Sequence, residues 1–276
     1  MAFCTNCGSP LPAEAKYCPV CGAPVLAAQK SEPVRQKFSV SARPKLAVTV
    51  RTPGSINVTS GNSGEVLIDS DITEAASIDY KATQEGNLIT ITSRAKSWNP
   101  LIWGSYVFSG GARANIRVSA PPEADLTLET ITDPISVTGI SGMINAESKT
   151  GPIRLKECSG TIDVRTHTGN IDLDDVSGVI EARDTIGHVN YIGSMASGNN
   201  AIRTTTGDID VGLRGEPDLT LDASTTVGHI VCRIDMAESR FDRGQYVGQH
   251  VAGKLGQGRG RLILEATTGS ISVYKQ

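Results

Sequence analysis

The 276 residues suffice for one large or two modest domains. Lys+Arg 26 against Asp+Glu 29 give a formal net charge of -3, which supplies no polybasic field for nucleic acid or an anionic membrane. Aromatics are only 4% and the 29 glycines about 10%, above the roughly 7% norm, so small stacked β layers are expected rather than a bulky aromatic core.

Four of the six cysteines fall in the first 21 residues, as Cys4-Thr5-Asn6-Cys7-Gly8 and Cys18-Pro19-Val20-Cys21-Gly22. A two-residue gap brings both thiolates to one face of a tight turn, and the glycine lets the chain double back. Two such knuckles offer four soft ligands to a tetrahedral ion, the arrangement of a closed structural zinc site. A disulfide pair would suit a secreted chain, but Met1 to Pro10 lacks the basic and apolar regions of a secretory signal. A redox Cys-x-x-Cys usually stands singly near a βαβ pattern, which is missing here. Rubredoxin-like iron needs a longer loop and more aromatics than Phe3 and Tyr17. The expectation is therefore one structural Zn²⁺ on Cys4, Cys7, Cys18 and Cys21, with no open position for chemistry. The stretch from Phe3 to Gly22 also resembles the short zinc ribbon found at the N-terminus of many bacterial proteins. That resemblance implies an interaction module over residues 1–25 and no enzyme.

Residues 26–45 are rich in Ala, Pro, Gln, Lys and Ser without sustained periodicity, and read as a flexible linker. Residues 1–45 carry Lys16, Lys30, Arg35, Lys37, Arg43 and Lys45 against Glu14 and Glu32, a net of +4 that leaves -7 for the rest. Zinc-bound thiolates offset part of that positive charge, so the leader is not read as a nucleic-acid arm. Short alternating segments at Ala47–Val50, Ser55–Val58, Leu88–Thr92 and Asn115–Ser119 are expected to form irregular first strands and a cap.

Four of the twelve aromatics lie within eleven residues, at Trp98, Trp103, Tyr106 and Phe108. They either cover the end or flank of the fold or present a contact patch for a protein partner or self-association. They are the candidate partner-binding residues.

From Leu126 onward, apolar pairs recur every nine residues: Leu126/Leu128, Ile135/Val137, Ile144/Ala146, Ile153/Leu155, Ile162/Val164, Ile171/Leu173, Ile180/Ala182 and Val189/Tyr191. Glycines 142, 151, 160, 169, 178 and 187 keep the same beat. A fixed period means stacked identical units, and each unit is a short strand that buries its inner face only against its neighbours. Alternation of Ser-Gly and Thr-Gly turns favours an 18-residue coil of two strands, although it stacks Asp163 on Glu181; a 27-residue coil would place Arg154 over Glu181 instead. The fold class expected for residues 46–276 is all-β, a single-stranded β-solenoid or β-helix-like domain. Beyond Tyr191 the beat loosens, and Met236 to Arg261 reads as a long Gly-rich loop.

The segment Asn115 to Leu128, the repeated (Ser/Thr)-Gly-x-Ile units, and the ending Gly256 to Leu264 followed by Thr267 to Val273 together resemble a bacterial β-strand-repeat family of unknown function. Its members are provisionally labelled adhesins. The resemblance implies a β-helix-like fold from about Lys45 to the C-terminus and fixes no ligand.

Gly253-x-x-Gly256-x-Gly258-x-Gly260 lacks the Gly-Lys-(Ser/Thr) and helix of a phosphate loop and reads as a turn. Calcium-binding rungs need Gly-Gly-x-Gly-x-Asp and are rejected. Asp163, Asp172, Asp174, Asp175, Asp208 and Asp210 read as a solvated face, and Cys158 and Cys232 as small core residues. His188 and His229 share a Gly-His-(Val/Ile) context that suggests equivalent turns; His167 and His250 are scattered.

The functional expectation is a non-enzymatic, cytoplasmic zinc protein using its solenoid as a binding or scaffolding surface. The alternatives are a carbohydrate-active enzyme on the solenoid face, or an adaptor in which the ribbon binds nucleic acid or protein.

Overall fold

A β-branched residue at every second position makes a strand with one fully apolar face, and repetition at fixed spacing lets those faces align in register. The structure is a computed structural model describing residues 2–3, 9–12, 17–22, 31–73, 75–96, 112–243 and 248–276. In chain order its strands begin with β1 (Ala2–Phe3), β2 (Pro10–Leu11), β3 (Ser31–Ser39), β4 (Lys45–Val50), β5 (Gly54–Ser60), β6 (Glu65–Thr73), β7 (Ile78–Glu85) and β8 (Leu88–Ala95). The repeat region contains β9 (Arg113–Ala120), β10 (Asp125–Thr130), β11 (Ile135–Thr138), β12 (Ser141–Thr150), β13 (Ile153–Lys156), β14 (Ser159–Thr168), β15 (Ile171–Ile186), β16 (Val189–Met195), β17 (Asn199–Thr206) and β18 (Ile209–Leu213). The chain closes with β19 (Leu219–Val227), β20 (Ile230–Arg233), β21 (Ala237–Arg243), β22 (Gln249–Leu255), β23 (Gly260–Thr268) and β24 (Ile271–Lys275).

Parallel ladders form two walls. Ile144 pairs with Ile162 and Ile162 with Ile180 on the first, while Ile153 pairs with Ile171 and Ile171 with Val189 on the second. Both steps are 18 residues, the spacing expected from the alternating turns. The solenoid is therefore built from two-strand coils. One inner column of the second wall runs Ile116, Ile56, Ile135, Ile153, Ile171, Val189, Ile209, Ile271, Ile230, all buried. Its companion runs Val118, Val58, Val137, Leu155, Leu173, Tyr191, Val211, Val273 and ends on Cys232. Tyr191 is the one ring in that column, and its hydroxyl donates to the Val176 carbonyl at 3.0 Å.

The corners explain the glycines. Gly151, Gly169, Gly187, Gly207, Gly269 and Gly228 form one column, in which each added Cβ would meet backbone of the coil below; at Gly169 the Gly151 carbonyl oxygen would lie 2.6 Å away. These are contacts that only a missing side chain permits.

After Tyr191 the coil lengthens: Ala182 pairs with Ile202, a step of 20 residues. Asn200 accommodates the change. Buried in the aliphatic column between Ile180 and Leu262, its Oδ1 accepts from the Ile180 N–H at 2.9 Å and its Nδ2 donates to the Ala196 and Arg261 carbonyls at 3.1 and 3.2 Å.

Both ends depart from sequence order. The β4–β5 coil lies between β8–β9 and β10–β11, and the β23–β24 coil lies between β17–β18 and β19–β20. Antiparallel strands finish each end: β7 on β8, and β6 then β3 on β9, at one; β22 then β21 on β19 at the other.

Two expectations are corrected here. Residues 31–39 of the expected linker are strand β3, paired along its length with β6. Val34, Phe38 and Val40 supply an apolar stripe packed against the core, while Pro33, Arg35 and Lys37 give the outer side an edge-strand composition that hid it. The expected 236–261 loop contains β21 and β22, paired antiparallel with each other and on to β19, and Gly253 passes flush against the Met236 side chain. No helix among the described residues is long and apolar enough to cross a membrane.

Candidate functional site

Three stacked columns of the first wall, at its corner, enclose a trough of about 510 Å³. One rim is Glu147, Arg165, Arg183, Arg203, Glu265, paired in register across β12, β14, β15, β17 and β23. The floor is Ser148, Thr166, Asp184 and Thr204, all buried. The other rim is Lys149, His167, Thr185, Thr205, Thr267. Four rung steps of about 4.8 Å make the trough roughly 19 Å long.

Floor hydroxyls serve the corners. Thr166 donates to the Gly151 carbonyl at 3.2 Å, and the corresponding Thr225 donates to the Gly269 carbonyl at 2.8 Å. Asp184 occupies the same column with 6% exposure, and neither carboxylate oxygen has a hydrogen-bond partner. An ionised carboxylate has no proton to give a corner carbonyl. Burial pushes its pKa from 3.8 to about 6, against the opposing influence of the Thr185 and Ile186 N–H groups and His167. The adjacent Thr204 hydroxyl is likewise unpartnered and enclosed.

The arginine rim is neutralised sideways. Arg165 pairs with Asp163 at 2.6 Å, Arg183 with Glu181, and Arg203 with Glu265 at 2.7 Å and Glu181 at 3.7 Å. These pairs relieve the Asp163-on-Glu181 stacking that the sequence exposed, which the register confirms. All three guanidiniums stay between about a third and a half exposed.

Of the ribbon, the described residues include the second knuckle. The Gly22 N–H donates to the Cys18 carbonyl at 2.9 Å, Gly22 takes the left-handed φ of +68°, and Cys18 is 2% exposed. This is the tight turn a Cys-x-x-Cys-Gly knuckle requires, so Cys18 and Cys21 fit a zinc ion. Cys4 and Cys7 lie outside the described residues, as do Trp98, Trp103, Tyr106 and Phe108. Among the described residues there is no group of three or more His, Cys, Asp or Glu able to hold a metal.

Cys158 is buried and Cys232 half-buried, and burial raises both thiol pKa values. The His188 and His229 carbonyls both accept from the first residue of a neighbouring second-wall strand, Ile171 and Ile271, so the two histidines do share a corner position. His188 Nε2 lies 2.9 Å from Asp210, and His250 Nε2 lies 2.9 Å from Asp222. Both pairs are half-buried, His188 at its corner and His250 on β22.

The trough was not among the sequence candidates. The 18-residue step aligns Arg165 with Arg183, but Arg203 joins only through the 20-residue step. Glu265 arrives by the insertion of β23.

A zinc-ribbon family profile matches residues 3–25, and that of the Toastrack family, DUF4097, matches residues 123–273, more than half the chain. The chain belongs to the Toastrack DUF4097 family. No curated protein matches it significantly. Among solved structures, a protein from Clostridium sporogenes ATCC 15579, provisionally described as a cell adhesion protein, aligns at 12% identity and TM-score 0.37, covering 89% of this chain and 100% of that one. A provisionally described adhesin from Bacteroides fragilis NCTC 9343 aligns at 8% identity and TM-score 0.35, covering 89% and 97%. A provisionally described lipid-binding protein from Parabacteroides distasonis ATCC 8503 aligns at 12% identity and TM-score 0.29, covering 90% and 98%. Every residue of the trough falls inside the matched Toastrack span, whereas β3 to β9 precede it.

Proposed function

We propose that the protein is a non-enzymatic zinc-binding protein that uses its Toastrack solenoid as a binding surface, with the first-wall trough as the site and the ribbon as a zinc-stapled interaction module. The observation that supports it is the trough itself: five successive rungs present the two rim columns, and four of them the floor, on a frame held by continuous parallel ladders. A site repeated rung by rung suits an extended partner better than a single small molecule.

Enzyme chemistry fits the site poorly. The two rim carboxylates, Glu147 and Glu265, are four rungs apart, about 19 Å. A carboxylate pair that cleaves glycosidic bonds stands about 5–9.5 Å apart. Asp163 and Glu181 are adjacent, but arginines hold both. The Asp184 oxygens are sealed from solvent. A reducing, cytoplasmic setting suits the reading, because zinc-bound thiolates and reduced Cys158 and Cys232 persist there.

The test is a photo-crosslinking residue placed at Thr205 in the trough or at Asn57 on the opposite wall, irradiated in extract of the native cell. Adducts of discrete mass from Thr205 and none from Asn57 are expected. Equal labelling at both positions, or none at either, would overturn the reading.

A further inference from the structure

The trough's chemistry narrows what it holds. Its first rim carries three guanidiniums in consecutive rungs, Arg165, Arg183 and Arg203. Guanidinium recognises carboxylate bidentately, and clusters of arginine read acidic peptide motifs. Asp163, Glu181 and Glu265 already pair with them at partly exposed positions, worth about 0–1 kcal/mol each, and the five N–H donors of a guanidinium let it take a ligand carboxylate beside its present partner. The second rim adds Lys149 and His167, then the hydroxyls of Thr185, Thr205 and Thr267. Hydroxyls both donate and accept, which matches the alternating N–H and C=O groups of an extended backbone. Length agrees as well: at about 3.3 Å per residue, a trough of about 19 Å holds six extended residues.

One feature argues against a nucleic acid: no Phe, Tyr or Trp side chain lines the trough to stack a base.

We propose that the trough binds a short, extended acidic peptide segment of a partner protein, its carboxylates on Arg165, Arg183 and Arg203 and its backbone against the threonine rim. This rests on the trough being the binding site, as proposed above.

The experiment titrates the full-length, zinc-loaded chain at low ionic strength with acetylated, amidated hexaglutamate, with the uncharged isostere hexaglutamine, and with dT10. Hexaglutamate is expected to bind at least tenfold more tightly than hexaglutamine. The double substitution Arg183→Gln, Arg203→Gln should weaken it at least tenfold. Thr185→Trp, which fills the trough and leaves the arginine pairs intact, should do the same with an unchanged melting temperature. Equal binding of hexaglutamate and hexaglutamine, or indifference to all of these substitutions, would overturn the proposal. Arginine-dependent binding of dT10 in preference to hexaglutamate would overturn it while leaving the trough as a binding site. If no probe responds to the trough substitutions and Thr205 yields no adduct, both readings fall.

Discussion

Asp184 is the residue most at odds with its surroundings. In its column the Thr166 and Thr225 hydroxyls donate to corner carbonyls and the Thr204 hydroxyl is enclosed and unpartnered, but Asp184 alone brings an ionisable group there. A pKa raised from 3.8 to about 6 means that the folded state favours the protonated form. The stabilising contribution is therefore whole below the unfolded pKa and is lost as pH rises through 6, a swing of about 3 kcal/mol. Asp184→Thr, which copies Thr166 and Thr204, should raise the melting temperature by several degrees at pH 7.5 and by much less at pH 4. A thermal scan showing equal gains at both pH values would contradict the assignment. Corner glycines are the opposite case, where nothing else fits. At Gly207 φ is +141° and a Cβ would overlap the Gly187 carbonyl oxygen, whereas at Gly86, φ +59°, the space is open. Gly207→Ala should cost more than about 3 kcal/mol in denaturant unfolding, and Gly86→Ala about 1 kcal/mol. Comparable losses would mean that backbone strain rather than stacking fixes the column.

At the scale of elements, what was legible in the sequence was what recurs locally. The inward pairs and corner glycines between Leu126 and Tyr191 read directly as stacked short strands, the alternating turns favour two strands per coil over three, and the 18-residue register decides for two. The terminal coils were not legible, since their partners are set by long returns of the chain. β4 pairs with β10 and β17 with β23 across dozens of residues, and no local period carries that information. The same returns have a mechanical consequence. In an ordinary solenoid the last coil is added at the end and can fray alone. Here β23 and β24 separate β17–β18 from β19–β20, so their loss would leave β19, β20, β21 and β22 without a wall to pack on. A chain ending after Gly258 should lose its cooperative thermal transition altogether, not one coil's share of it. Retention of a sharp transition within a few degrees of the full chain would show that the inserted coil is dispensable.

At the scale of the whole molecule, a basic leader of +4 precedes a body of -7, and the two are stabilised by different physics. The solenoid buries aliphatic columns along its length. The ribbon, matched over residues 3–25, is too short to bury a core, and on the proposed reading a zinc ion supplies most of its folding energy. The ribbon family was legible because its signature, Cys-x-x-Cys-Gly, sits within five residues, whereas the trough needed the register of five distant strands to exist at all. Independence of the two parts has a measurable signature. Chelation should release one zinc per chain and make Cys4, Cys7, Cys18 and Cys21 rapidly reactive toward a thiol reagent. Cys158 and Cys232 should stay slow, since burial raises both their pKa values. The solenoid's melting temperature should move by less than about 2 °C, because its cooperative unit is the stacked columns and not the ribbon. A large fall in that temperature on chelation would instead couple the ribbon to the solenoid, and retention of slow thiols at Cys18 and Cys21 would remove zinc from the knuckles.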